Sequence, residues 1–280
     1  MRRLRYLSVA LLVVAAALAW GGPHPWVSLA MRLQGCEYRS IQTANFTIGF
    51  YDSGDEELPP MVLAHGFLVD GALNWFNMVP RLKGRYRLII PDLLNADSEY
   101  VRGGSYTLRE EGDLLRELCS ALRLERPRMV FFSAGALIAP GFMDSAEVVL
   151  ISPPPLGMDA FFSDMNALFS RDAAWFAAAT FKSPPPGMGL FTKLTYRDWE
   201  KERGRFLDVF SAQYEAWSNL DIDSENLLMI IPEDDRFFPS ARSLFSAGRR
   251  NVILLSGSGH GATWDQPDRL ATMLAADIRP

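Results

Sequence analysis

Three residues far apart in the chain are of types that together perform nucleophilic chemistry: Ser133, Asp235 and His260. A serine hydroxyl is a weak nucleophile until a neighbouring base takes its proton. An imidazole serves as that base when a carboxylate fixes its tautomer. Each of the three stands just past a short apolar run. Met129–Phe132 leads into Ser133-Ala134-Gly135-Ala136, Leu227–Ile231 into Pro232-Glu-Asp-Asp235-Arg-Phe-Phe-Pro239, and Val252–Leu255 into Ser256-Gly-Ser-Gly-His260-Gly261. Taken singly, Ser133 reads as a turn serine and Asp235 as an acid at a helix start. Asp234 is the rival for the acid. Of the three histidines, His24 falls in a linker, His65 reads as structural within its loop, and His260 sits between glycines with no such structural reason.

Such residues need a scaffold that brings them together. Short apolar runs at Met61–Ala64, Tyr86–Ile90, Met129–Phe132, Val148–Ile151, Leu227–Ile231 and Val252–Leu255 predict buried strands. Phe46–Tyr51 alternates as an antiparallel leading strand does. Between them lie helical patterns, the clearest at Leu108–Leu122, with Leu115, Leu118 and Leu122 on one face and a capping box at Thr107 and Glu110. This alternation predicts an α/β fold with a mostly parallel, doubly wound sheet, whose functional groups gather at the carboxyl ends of strands. A serine on a strand-to-helix turn exposes its hydroxyl while the next backbone N–H groups point to the same place, and Gly135 permits close approach there. One interval breaks the pattern. Between Pro155 and Asn226 no strand is signalled, and residues 156–219 hold 13 aromatics. We read 156–225 as a helical cap inserted between two parts of a core, 41–155 and 226–280. Many of the aromatics must form the cap's own core.

The chain has 280 residues, 49% of them hydrophobic, which excludes a disordered or fibrous protein. Its 28 Lys+Arg stand against 33 Asp+Glu, and Arg2, Arg3 and Arg5 are all at the N-terminus. The acidic remainder argues against a nucleic-acid partner, because phosphate binding needs clustered cations. Two cysteines, Cys36 and Cys119, are too few for a disulfide framework or a zinc site. The three arginines precede an apolar run, Tyr6–Trp20, that contains Ala17-Leu18-Ala19. Residues 1–22 therefore read as a signal peptide or a membrane anchor, followed by a linker at 23–40. Either way the domain is exported, to the cell envelope or to the non-cytoplasmic face of a membrane.

Read in order, these motifs resemble the α/β-hydrolase superfamily over nearly all of residues 40–280. The resemblance is carried by Leu63-Ala-His65-Gly66-Phe67, Trp75, Pro91-Asp92, Ser133-x-Gly135, Glu233-Asp-Asp235-Arg236-x-x-Pro239, Gly259-His260 and Trp264-Asp265-Gln266-Pro267. It implies the α/β-hydrolase fold with Ser133 as nucleophile, Asp235 as acid and His260 as base. The backbone N–H groups of Phe67 and Ala134 would form the oxyanion hole, supported by His65, Gly66 and Gly135. The implied activity is that of a carboxylic ester hydrolase, esterase- or lipase-like, acting on a small lipophilic ester through an acyl-enzyme. No metal or organic cofactor is implied. Serine at the nucleophile position argues against haloalkane dehalogenases and epoxide hydrolases of this fold, which use aspartate. The N-terminus followed by Met31-Arg-Leu-Gln-Gly35 resembles a membrane-anchored, monoacylglycerol-lipase-like branch.

The chain also departs from the family pattern near the serine. Phe131 stands where the family has glycine, the loop Leu93-Leu94-Asn95-Ala96-Asp97 lacks the usual glycines, and Pro140-Gly141 shorten the following helix. These departures motivate a second reading, a non-catalytic hydrolase-fold protein that binds a lipid or a protein. A third is an acyltransferase that uses the same triad.

Overall fold

The computed structural model describes residues 24–67, 71–93, 107–182, 214–245 and 249–276. The basic, apolar N-terminal run, Asn95 with its loop neighbours, and the middle of the expected cap lie outside the described residues.

Eight strands form one sheet: β1 (Glu37–Gln42), β2 (Thr47–Asp52), β3 (Pro60–Ala64), β4 (Arg87–Pro91), β5 (Arg128–Phe132), β6 (Glu147–Ile151), β7 (Leu227–Pro232) and β8 (Val252–Leu255). Their order across the sheet is β1-β2-β4-β3-β5-β6-β7-β8. The β1–β2 hairpin lies antiparallel at one edge, and every pairing from β4 to β8 is parallel. Each strand expected from an apolar run is present, with ends shifted by at most one residue. Parallel strands are covered on both faces, so the central ones read as nearly continuous apolar runs. In β5, Met129 and Phe131 face one apolar cluster, while Val130 and Phe132 face the other.

Helices α1 (His24–Leu33), α2 (Gly71–Trp75), α3 (Val79–Leu82), α4 (Leu108–Ala121), α5 (Met158–Phe169), α6 (Ala173–Thr180), α7 (Tyr214–Ser218), α8 (Pro239–Phe245), α9 (Ala262–Asp265) and α10 (Pro267–Ala275) complete the described elements. The capping box of α4 is formed on both sides. Thr107 Oγ1 accepts from the Glu110 N–H at 3.1 Å, and Glu110 Oε2 accepts from the Thr107 N–H at 2.6 Å.

Two segments differ from expectation. Residues 23–40, read as a linker, carry α1 and the start of β1, and Met31 and Cys36 are fully buried in the cluster that holds Tyr51, Trp75 and Leu82. Strand β1 has no apolar signal in the sequence, because Glu37-Tyr-Arg-Ser-Ile-Gln42 is almost wholly exposed and lacks an apolar alternation. Past Ser133, the chain winds as a 3-10 helix from Ser133 to Phe142. That is long for its type. Pro140, inside it, has no N–H to donate to an earlier carbonyl, and the ring of Phe142, its last residue, packs 5.7 Å from the buried Phe131 ring.

The described parts of the expected cap are helical. In α5, Phe161 is buried against Tyr214 of α7 (4.8 Å between rings) and Phe238 (6.3 Å). Tyr214 Oη and Trp217 Nε1, the latter at 3.1 Å, both donate to the Pro155 carbonyl, which fixes α7 over the Pro153–Pro155 run.

Candidate active site

Ser133 follows β5, the strand near the middle of the sheet, and has φ +51°. Residues other than glycine rarely adopt that region, and holding one there costs on the order of 1–3 kcal/mol. The conformation belongs to a sharp strand-to-helix turn that lifts the hydroxyl out of the sheet. Two glycines let the loop after β3 touch this turn. A Cβ on Gly135 would sit 2.5 Å from the His65 carbonyl oxygen, and one on Gly66 would sit 3.1 Å from Ser133 Cβ. Phe67 and Ala134, the expected oxyanion donors, come next in these two touching segments. Ala134 falls in the first turn of the 3-10 helix, where N–H groups have no partner within the helix.

His65 is fully buried and both of its ring nitrogens are hydrogen-bonded. Its Nε2 accepts from the Leu93 N–H at 2.9 Å, so Nδ1 carries the proton and donates to the Gly66 carbonyl at 2.7 Å. The ring thereby ties the loop after β3 to the end of β4.

Asp235 follows β7 and His260 follows β8, so two further strand ends supply the other partners. Asp235 Oδ1 accepts the N–H groups of Phe237 (2.8 Å) and Phe238 (3.2 Å), which turns Oδ2 toward His260 Nδ1 at 2.9 Å. A carboxylate can only accept, so Nδ1 bears the ring proton and Nε2 accepts from the Ser133 hydroxyl at 2.8 Å. Ser133 and His260 are both buried. The arrangement can pass a proton from hydroxyl to imidazole while the carboxylate holds the tautomer and balances the charge formed. Asp234, the alternative acid, is turned away and pairs with Lys182 Nζ.

Sequence reasoning missed the residues that hold His260 in place. Ser152, at the end of β6 with φ +50°, is fully buried and donates from Oγ to the His260 carbonyl at 2.9 Å. Its place just past an apolar strand and before a proline run was the available signal. Asp265 Oδ2 accepts from Gly259 N (2.8 Å) and from Lys182 N (2.9 Å), and the Gly261 N–H donates to the Thr180 carbonyl at 2.6 Å. The end of the cap helix α6 therefore lies directly on the loop that carries the base. This explains both glycines flanking His260: a Cβ on Gly259 would come 3.2 Å from the Thr180 carbonyl oxygen, and one on Gly261 would come 2.6 Å from the Phe181 ring. Three phenylalanines enclose the imidazole, Phe132, Phe237 and Phe238, at ring separations of 5.4, 4.5 and 5.5 Å.

One further buried carboxylate lies close by. Asp164 of α5 accepts from Ser240 Oγ (2.8 Å) and Ser240 N (3.2 Å), joining the cap to α8. Burial pushes its carboxyl above the ordinary aspartate range and the charge of Asp235 adds to that, while the bonds from Ser240 oppose both.

Residues 61–273 match the family model described as the alpha/beta hydrolase family. Over 140 residues the chain is 28% identical to the magnesium-chelatase 30 kDa subunit of Rhodobacter capsulatus, a stretch that covers 48% of this chain and 47% of that protein. The chain thus spans about half the length of that curated relative. Among solved structures, a membrane phospholipase A described as a bacterial virulence factor aligns with 98% of this chain and 96% of its own, at 20% identity and a TM-score of 0.72. A serine hydrolase from Cycloclasticus zankles aligns with 86% of this chain and 97% of its own, at 16% identity and a TM-score of 0.68. The naproxen esterase of Bacillus subtilis aligns with 88% and 93%, at 16% identity and a TM-score of 0.62. At these identities the structures speak for a shared fold.

Proposed function

Because this chain belongs to the α/β-hydrolase family, we propose that it is a serine ester hydrolase whose substrate carries a lipophilic acyl group. The observation that carries the reading is the hydrogen-bonded series Ser133–His260–Asp235, assembled from the ends of three different strands. Ser133 Oγ attacks the ester carbonyl as His260 Nε2 takes its proton. The carbonyl oxygen, now negative, is held by the N–H groups of Phe67 and Ala134. His260 then gives the proton to the departing alkoxide, leaving an acyl-enzyme. Water, with His260 again as base, releases the acid and restores Ser133.

The lipophilic preference is supported by the aromatic content of the cap, part of which packs over the acid and base loops through Trp175, Phe176 and Phe161. The esterase and phospholipase that share this fold are in keeping with it. The basic, apolar N-terminus supports an exported domain held at or near a membrane. Among the described residues no helix is long and apolar enough to cross one.

The departures that motivated a non-catalytic reading leave the hydroxyl in place: with Phe131 and a 3-10 helix present, Ser133 keeps its turn and its bond to His260. Fluorophosphonate labelling, together with hydrolysis of p-nitrophenyl esters, tests the proposal. Wild type labels and turns over, whereas Ser133→Ala does not label and loses at least ~10,000-fold in kcat, since triad members act as a unit. Wild type that neither labels nor hydrolyses any ester of the series leaves the binding-protein reading. Product analysis with added alcohols separates hydrolysis from acyl transfer.

A further inference from the structure

Phe237 acts on the site twice from one position. Its N–H orients Asp235 through Oδ1, and its ring lies nearly parallel to the His260 imidazole, with centroids 4.5 Å apart and planes at 21°. Phe132 and Phe238 meet the imidazole at steeper angles, 55° and 70°. Phe237 is itself buried, with Trp175 nearly parallel to it at 6.1 Å and 11° and Phe176 at 4.9 Å, both from the cap helix α6. Arg171, at the start of that segment, lies over the Trp175 ring.

The geometry points to Phe237 as a positioning residue for His260, backed from the cap by Trp175. The catalytic consequence rests on the ester-hydrolase reading above. An imidazole that relays a proton between Ser133 and a leaving group must keep two hydrogen bonds in line while its charge changes. A flat ring against one face prevents rotation of the imidazole unless Phe237 moves, and it keeps water from the Nδ1–H bond to Asp235. When the imidazole is protonated, its charge also meets the electron-rich face of an aromatic ring. Phe237 has no group that gains or loses a proton or a covalent bond in the reaction. Simple burial needs only an apolar side chain, which leucine supplies; stacking needs a planar ring, which tyrosine supplies.

Phe237→Leu and Phe237→Tyr separate the two roles on a short ester such as p-nitrophenyl acetate. Loss of a desolvated cation–π contact and of alignment predicts that Phe237→Leu lowers kcat about tenfold with KM changed less than about twofold, while Phe237→Tyr stays within about threefold of wild type. A second readout is independent of turnover. With only three histidines in the chain, the His260 Nδ1–H proton is assignable by NMR. It should be visible in wild type and Phe237→Tyr and lost to water exchange in Phe237→Leu. If Phe237→Leu does not fold, Trp175→Leu carries the test, with a smaller loss of kcat and faster exchange of the same proton. Wild-type kcat in Phe237→Leu overturns the proposal. So do equal losses in the leucine and tyrosine variants that follow their melting temperatures. Wild type without esterase activity removes the ester-hydrolase reading alone, and the Nδ1–H proton still decides Phe237: equal protection in wild type and Phe237→Leu overturns it.

Discussion

Phe131 is the residue that departs furthest from the family pattern, and strand geometry explains why the site tolerates it. Successive side chains of β5 point to opposite faces, so Phe131 enters the cluster under the 3-10 helix, and Phe132 goes to the other side, against Trp75 and His260. The bulk two residues before the serine is thus spent on packing against Phe142, the last residue of the 3-10 helix. Phe131 is a core residue. Phe131→Ala should therefore cost about 3–5 kcal/mol of stability and bring no gain in kcat. Urea unfolding alongside ester turnover checks this. A variant with wild-type stability and higher activity would mean that the ring crowds the nucleophile.

At the scale of elements, the loop from β8 to α9 is the piece on which the site depends. Its backbone is held at successive positions by parts from four places: the Asp234 N–H on the Ser258 carbonyl, the Asp265 carboxylate on Gly259, Ser152 on His260 and the Thr180 carbonyl on Gly261. Asp265 is the most connected of these, because it also receives the Lys182 N–H from the cap. A hydrogen bond to a charged group contributes roughly 1.5–3 kcal/mol, so Asp265→Ala should lower kcat by about tenfold or more and also lower the melting temperature. Asp265→Asn, which keeps one acceptor, should fall between. Full activity in Asp265→Ala would show that the loop is held without it. This loop also marks where sequence reading stops. The buried parallel strands were legible because they are continuous apolar runs, and Ser133, Asp235 and His260 were legible because each stands just past one. Trp264-Asp265-Gln266-Pro267 was visible as a pattern, yet Asp265's role depends on Gly259 and on Lys182 in the cap, a segment far away in the chain. Ser152 has the same setting as Ser133 but is not legible as a site residue, because its partner is a backbone carbonyl, which leaves no trace in residue types. Strand β1 is mostly exposed and polar, and it is joined to β2 by the backbone ladder and by pairs such as Arg39 with Asp52 and Tyr38 with Tyr51, which no apolar pattern announces.

At the scale of the whole molecule, the parallel sheet and the cap divide the labour. Strands β5, β7 and β8 aim the three polar groups at one end of the sheet, and the cap supplies apolar surface above them. Not all of that surface is available to a ligand. Phe161, Met165 and Phe176 are buried, whereas Phe162 and Trp175 are only half-buried, and under the lipophilic reading it is these two that would line an acyl cleft. An acyl chain that enters such a cleft leaves water, and each buried methylene contributes ~0.8 kcal/mol, or about fourfold in kcat/KM. The gain should stop once the cleft is filled, because further carbons stay in solvent. The expected profile on p-nitrophenyl esters therefore climbs from acetate toward medium chains and then levels. Trp175→Ala should flatten the climb and lower the rate on acetate, because Trp175 both offers apolar surface and backs Phe237. A profile that is flat or falling in an active wild-type enzyme would remove the lipophilic reading while leaving Ser133, Asp235 and His260 in their roles. The cap's aromatics would then serve only to hold the cap on the base loop.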